Sequence, residues 1–330
     1  MVPEKKLELV HLQLTRNCNL RCWFCGQWGK KGFFSGKSGL EMTFSDWKKV
    51  IDDVYESAVD KQDLPSFILW GGEPLVSPCF DDVAQYIHTL GFRIGIVTNG
   101  VLIDKHAETI KNFIDRIYLS VDGPEKIHDS IRGDGVFKKL CKNLQLIRGG
   151  KAKIIIMTVL SPALIECIEE LPSSFEQFCP DEVILQEMIT LTSQEADDYK
   201  HWINNAFGIC ACEIDSWVGK MPENFDEIKQ AKIKKVLKAK TSYNLTYLPH
   251  GDGAAREFCL SPFRHVHVAW NGNVLYCTDF YDFCAGNVKT EKITDIFENE
   301  ISDKYRAEIM NGKCATCRHC SWKNNETFKF

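Results

Sequence analysis

The chain has 330 residues, 44% of them hydrophobic and 26% charged, and a formal charge of −5. Those proportions suit a globular protein with one large and one smaller domain. No apolar run reaches membrane-span length, the start MVPEKKLELVHLQLT lacks a signal peptide's apolar core and cleavage site, and no long basic run points to nucleic acid.

Residues 8–14, LVHLQLT, alternate apolar and polar as a strand does. The run CNLRCWFC follows at once and spaces Cys18, Cys22 and Cys25 as C-x3-C-x2-C. Three thiolates on one short loop can hold three irons of a cubane 4Fe–4S cluster. The fourth iron then stays open to a substrate or cofactor, whereas ordinary ferredoxin runs close the cluster with a fourth cysteine. A structural zinc loop is the rival reading, because the run contains a C-x2-C pair.

A helix over 43–56 is predicted next, capped by Thr43 or Ser45, with Trp47, Val50, Ile51 and Val54 on one face. A strand over 66–70 ends in Gly71-Gly72-Glu73-Pro74, and a helix covers 81–90. A strand over 93–98 ends in Thr98-Asn99-Gly100, followed by a helix over 105–113. A strand over 116–121 ends in Ser120-Val121-Asp122-Gly123, and the run HDSIRG, from His128 to Gly133, comes after it. A helix over 136–147 stops at Gly149-Gly150. A strand over 153–160, a helical stretch over 163–178 and a strand over 182–188 complete the series, with Gln186 and Glu187 at the last strand's end.

Six strands alternating with helices predict an α/β fold with a parallel sheet and right-handed crossovers. Each notable tripeptide lies just after a strand, which in a β/α barrel is the rim where active sites assemble. Taken alone, Gly-Gly pairs and strand-tip polar residues are also ordinary turn formers. Residues 191–250 form a bridging segment, including a charged helix over 223–240 with Ile and Leu at helical spacing.

The C-terminal part carries Cys259, Cys277, Cys314, Cys317 and Cys320, and Asn271-Gly272 marks a hairpin between the first two. The hairpin aims Cys259 and Cys277 at one spot, which the CATCRHC run closes. Four thiolates complete a cubane, and a zinc site takes the same number. Cys259, Cys277, Cys314 and Cys317 are the four assigned, with Cys320 and Cys284 left over and Cys320 able to replace Cys317. His265 and His267 share one strand face near the cluster and read as packed or solvated rather than as ligands. The remaining cysteines, Cys79, Cys141, Cys167, Cys179, Cys210 and Cys212, read mainly as small core residues. Fifteen cysteines clustered at metal-ligand spacings, without an export signal, fit a reducing cytoplasm.

The C-x3-C-x2-C loop, Phe24 before its last cysteine and the GGEP strand end together resemble the radical S-adenosylmethionine (SAM) superfamily. The resemblance implies a partial (β/α)6 TIM-like barrel over 1–190, with SAM chelated at the open iron and cleaved to a 5′-deoxyadenosyl radical. It puts Phe24 near the adenine, and Gly71, Gly72, Glu73 and Pro74 at the methionyl ammonium. Thr98, Asn99, Ser120 and Asp122 would contact SAM or substrate. Arg132 would pair with the SAM carboxylate, unless it is a surface arginine capping a helix. Glu187 or Asp252 would supply acid–base chemistry.

The C-terminal cysteines, the AGNV run and the TDIFENE helix resemble the SPASM/twitch auxiliary-cluster domains, here over 251–330. The cysteine array is shorter than that of a two-cluster SPASM domain, which favours the one-cluster twitch version. The implied activity is a radical SAM oxidoreductase that removes hydrogen from a substrate C–H bond in a biosynthetic pathway, with a net oxidation or dehydrogenation aided by the auxiliary cluster. Its partners would be a small-molecule or peptide substrate and an external one-electron reductant such as flavodoxin or ferredoxin. A peptide- or protein-modifying maturase is the alternative within the family, weakened because Cys18 leaves no room for an N-terminal peptide-recognition domain. A non-catalytic electron carrier is the alternative outside it.

Overall fold

A computed structural model describes residues 2–29, 32–34, 39–219, 225–249, 258–314, 316–317 and 320. The first half alternates strand and helix: β1 (Leu9–Thr15), α1 (Phe44–Ser57), β2 (Ser66–Gly71), α2 (Phe80–Thr89), β3 (Ile94–Thr98), α3 (Ile103–Phe113) and β4 (Arg116–Ser120). Two helices, α4 (Glu125–Arg132) and α5 (Val136–Ile147), then lead to β5 (Lys153–Leu160). The short α6 (Pro162–Glu166) and α7 (Leu171–Phe175) precede β6 (Glu182–Glu187). The helix α1 starts where a cap was expected: Thr43 and Asp46 form a reciprocal capping box. The helical stretch over 163–178 is divided into α6, α7 and short 3-10 turns.

These six strands pair in parallel and in sequence order. Side chains pointing outward, such as Val10, Leu12, Phe67, Leu69 and Leu119, join the helices in the main core. Those pointing inward, among them Leu9, Ile68, Trp70, Tyr118, Met157 and Ile184, form a separate cluster inside the curved sheet. Both faces of each strand are therefore covered, as a parallel sheet requires. This is the partial barrel that the alternation predicts.

The segment over 191–250 is more than a helical bridge. It holds α8 (Ser193–Phe207) and α9 (Phe225–Val236), and then β7 (Asn244–Leu248), which pairs parallel with β6. The C-terminal region follows with α10 (Ser261–Arg264), β8 (His265–Val268), β9 (Asn273–Leu275), β10 (Gly286–Asn287), α11 (Ile293–Glu298) and α12 (Glu300–Met310). Strands β8 and β9 are the predicted hairpin, and its turn residue Gly272 has a φ of 94° that favours glycine. The hairpin does not stand apart. Strand β8 pairs parallel with β1, so His11 lies opposite His267 and the free edge of β1 is covered. Among the described residues, no helix is long and apolar enough to cross a membrane.

Candidate active site

The cysteine loop grows directly from the end of β1 and is held by the end of β2. The Gly72 N–H donates to Thr15 O at 2.9 Å, and the Glu73 N–H donates to Asn17 O at 2.8 Å. A β-carbon on Gly71 would lie 2.3 Å from Thr15 O, and one on Gly72 would lie 2.2 Å from Asn17 O. The two glycines are thus required by the approach of two backbones. Within the loop, Leu20 N–H donates to Cys18 Sγ at 3.4 Å and Trp28 N–H to Cys25 Sγ at 3.3 Å. Burial pushes the Cys18 thiol up to about 12 and the Cys22 thiol up to about 11, against the pull of Arg132 on the latter. Three sulfurs on one loop, with N–H groups and a guanidinium aimed at them, fit a cluster that needs thiolate ligands. Phe24 makes an edge contact with Trp23 between the second and third cysteines.

Glu73 and Pro74 stand at the start of a 3-10 turn, Pro74–Val76. The Glu73 side chain is 1% exposed, and burial pushes its carboxyl up to about 7. Its carboxylate accepts from the Thr98 hydroxyl at 2.7 Å, the Leu75 N–H at 3.2 Å and the Asn99 N–H at 2.8 Å. It therefore binds the tip of β2 to the tip of β3. The Asn99 side chain continues the link, donating to Asn19 Oδ1 in the cysteine loop at 2.8 Å. The predicted residues Glu73, Thr98 and Asn99 do come together, as one network under the loop.

Asp122 is fully buried. It accepts from Arg132 Nε at 2.7 Å and from Val159 N–H at 3.2 Å, and its own N–H donates to His128 Nδ1 at 3.2 Å. Arg132 is not a surface cap. Its side chain is 9% exposed, and Nη1 donates to Cys22 Sγ at 3.8 Å. Ser120 faces inward instead, into a large cavity.

That cavity, about 690 Å3, runs up the inside of the sheet. Trp70, Tyr118, Ser120, Met157 and Gln186 line it, together with Cys259, Cys277, Asp279 and Cys320. The indole N–H of Trp70 and the amide oxygen of Gln186 are buried there without a hydrogen-bond partner among the described residues. Burial pushes the Asp279 carboxyl up to about 6.

Glu187 must be corrected. Side chains alternate along β6, so Gln186 faces the cavity and Glu187 the helices. Its carboxylate lies 2.8 Å from Lys229 Nζ of α9 and also accepts from the Tyr247 hydroxyl. A buried, ion-paired carboxylate on the outer face is not placed to reach a substrate. Asp252, its alternative, lies outside the described residues. Asp279 is the cavity carboxylate nearest in sequence to a cluster cysteine, and only its placement just after Cys277 could have drawn attention to it. His11, also unremarked in the sequence, stacks on His267 at 4.2 Å between ring centroids, with His265 at 5.9 Å.

The five C-terminal cysteines are brought into one neighbourhood. Cys277 feels the charge of Cys320, and Cys317 that of Cys314, Cys259 and Cys320. A hydrogen bond from Cys317 pulls the Cys314 thiol down, while burial pushes the Cys277 thiol well up. Five sulfurs exceed the four a cubane needs. Cys284 stands apart, with its thiol donating to Gly286 O at 3.2 Å.

Two family models match the chain: the radical SAM superfamily over residues 12–171, and the SPASM iron–sulfur cluster-binding domain over residues 259–321. The AdoMet-dependent heme synthase of Methanosarcina barkeri is 26% identical, with 94% of this chain and 88% of that protein covered. The Fe-coproporphyrin III synthase of the same organism is 27% identical, covering 96% and 81%. Streptococcus suis SuiB bound to its precursor peptide superposes with a TM-score of 0.65 at 15% identity, covering 96% of this chain and 71% of that one. The enzyme anSMEcpe with bound AdoMet gives 0.62 at 18% identity, covering 95% and 87%.

Proposed function

This chain belongs to the radical SAM superfamily and carries a C-terminal SPASM domain, and from that premise we propose that it oxidises a substrate held in the cavity inside the barrel. The observation that carries the reading is the cavity itself, where the inward strand-tip residues Ser120 and Gln186 share one space with Cys259, Cys277 and Cys320. A 4Fe–4S cluster on Cys18, Cys22 and Cys25 supplies, when bound, the electron that divides SAM into methionine and a radical able to take hydrogen from a C–H bond.

The chain's own residues would do the rest. Glu73, Thr98, Asn99 and Asn19 hold the cysteine loop in register with the strand tips. The backbone around Gly71–Pro74 offers its polar groups to the SAM ammonium. Trp70 and Gln186 stand in the cavity wall beside Tyr118 and Met157 and would shape the space the substrate takes. Asp279 is the carboxylate in reach of a substrate proton, in place of Glu187. The auxiliary cysteines, in the lining of the same cavity, favour removal of the second electron from the substrate, and hence a net two-electron oxidation in a biosynthetic pathway. One auxiliary cluster accounts for them. An external one-electron carrier, flavodoxin or ferredoxin, would supply the first electron, and the cytoplasm is the compartment that suits it.

Two substrate classes follow. The full-length relatives named for heme and Fe-coproporphyrin synthesis favour a tetrapyrrole, which the apolar wall of Trp70, Tyr118 and Met157 suits. The fold shared with peptide-binding SuiB favours a peptide less strongly. Anaerobic protein loaded with iron and sulfide, given SAM and a reductant, should release 5′-deoxyadenosine, and C22S should not. Adding an iron-porphyrin carboxylate or a peptide pool should then give a product two hydrogens lighter from one of them. Absence of 5′-deoxyadenosine from a cluster-replete sample would favour the electron-carrier alternative.

A further inference from the structure

Arg132 is the last residue of α4, and Gly133, with a φ of 119°, ends the helix directly behind it. The helix follows the tip of β4, so its end is brought back against the cysteine loop. There the guanidinium donates to two partners. Nε donates to Asp122 at 2.7 Å, and Nη1 donates to Cys22 Sγ at 3.8 Å. The side chain of Asp122 is 0% exposed and that of Arg132 9%. Asp122 is fixed in turn by the Val159 N–H. Swinging the guanidinium away would leave a buried carboxylate unpaired, which is strongly unfavourable.

The positive end of a buried ion pair is therefore locked within hydrogen-bonding distance of the Cys22 sulfur, and its pull on that thiol exceeds the opposing push of Asp122. Charges act on one another more strongly in such a site than in solvent. Backbone N–H groups at Cys18 and Cys25 contribute only partial charges. Cys22 is the ligand singled out for a whole one.

We infer that Arg132 sets the reduction potential of the cluster held by Cys18, Cys22 and Cys25, with Asp122 as the group that positions it. The electron comes from the external one-electron reductant and resides on the cluster, and no bond is made or broken at Arg132. The guanidinium favours the reduced cluster by offsetting the added negative charge. This role differs from pairing with the SAM carboxylate, since it operates before SAM binds. It rests on the assignment of the cluster to these three cysteines, and iron and sulfide content tests that assignment separately.

The experiment is an EPR-monitored redox titration of the full, anaerobically reconstituted chain without SAM, comparing wild type, R132Q and R132K. R132Q should keep its iron and sulfide and become harder to reduce at the N-terminal cluster by tenfold or more, about 59 mV for one electron. R132K, which keeps the charge, should recover most of that difference. The auxiliary cluster is the internal reference and should not move. An unchanged potential in cluster-replete R132Q overturns the inference. So does an equal shift at both clusters, which would mark a general disturbance. If neither variant retains iron, Arg132 is an assembly residue and the inference fails as well.

Discussion

Gly26 and Trp217 approach more closely than any side chain on Gly26 would allow: a β-carbon there would lie 2.4 Å from Cζ2 of the indole. The same indole donates from Nε1 to Asp279 O at 2.9 Å. One ring thus spans the residue after Cys25 and the loop after Cys277. The two cysteine loops, distant in sequence, are spaced by Trp217.

Replacing Gly26 with alanine should force the indole or the cysteine loop aside. Overpacking of this kind costs about 1–3 kcal/mol, and here it should also lower the iron held by the N-terminal loop. Contacting residues are not additive, so adding W217A to G26A should restore the iron content of W217A alone. Iron and sulfide analysis of the three variants checks this. If the double variant lost as much iron as the product of the single losses, the contact would not be the cause.

The pair Glu187 and Lys229 separates two roles for the carboxylate. Their side chains are 6% and 5% exposed. Breaking a buried ion pair by removing one member costs about 3–5 kcal/mol. E187Q should therefore be markedly destabilised, and E187Q/K229M should recover most of the loss. Turnover per folded molecule should stay near wild type in both. A stable E187Q protein that cleaves SAM but makes no product would return Glu187 to acid–base chemistry.

That pair also marks where local sequence patterns stop. The strand over 153–160 and the helix over 136–147 match the observed limits because alternation, amphipathic spacing and terminal glycines all act locally. The end of β6 could not be judged to one residue, and a shift of one exchanges the two faces of a strand. Of the two residues at that strand end, Gln186 lines the cavity and Glu187 pairs with Lys229. The Gly71-Gly72 pair announced a close approach, but the backbone of Thr15 and Asn17 was invisible as the approaching group. His11 and His267 meet through pairing of β1 with β8, a long-range contact that no local pattern carries.

The imidazoles give the fold an acid limit. Burial holds His128 and His265 down to about 4, His267 to about 3, and His11 well below its ordinary 6.5. Between pH 6.5 and 4 the unfolded chain protonates these groups while the folded chain keeps them neutral. The unfolded state binds more protons throughout that window, so stability falls as pH drops through it. A group held near 4, as His128 and His265 are, contributes about 2 kcal/mol to the difference between pH 7 and pH 5. H265Q should narrow that difference by one such share in anaerobic urea titrations at the two pH values. An unaltered difference would mean that His265 is already charged in the folded protein.

The auxiliary site holds one thiol more than a cubane uses, and its neighbours differ enough to be told apart. Cys284 packs beside Phe33, Phe34 and Trp270, with its thiol donating to Gly286 O. Burial and the charge of Glu291 push its thiol up, and C284S should keep the full iron complement. Cys277 lines the cavity wall and is coupled to Cys320. C277S should lose the auxiliary iron while leaving the N-terminal cluster's response to SAM intact. C317S and C320S then divide the last ligand position between them. One of the two should lose iron as C277S does, and the other should retain it, since four thiolates suffice. Retention in both would mean that either thiol can substitute for the other. Loss in both would require a fifth sulfur at the metal, and the single fully ligated cubane would be the wrong description of this wall of the cavity.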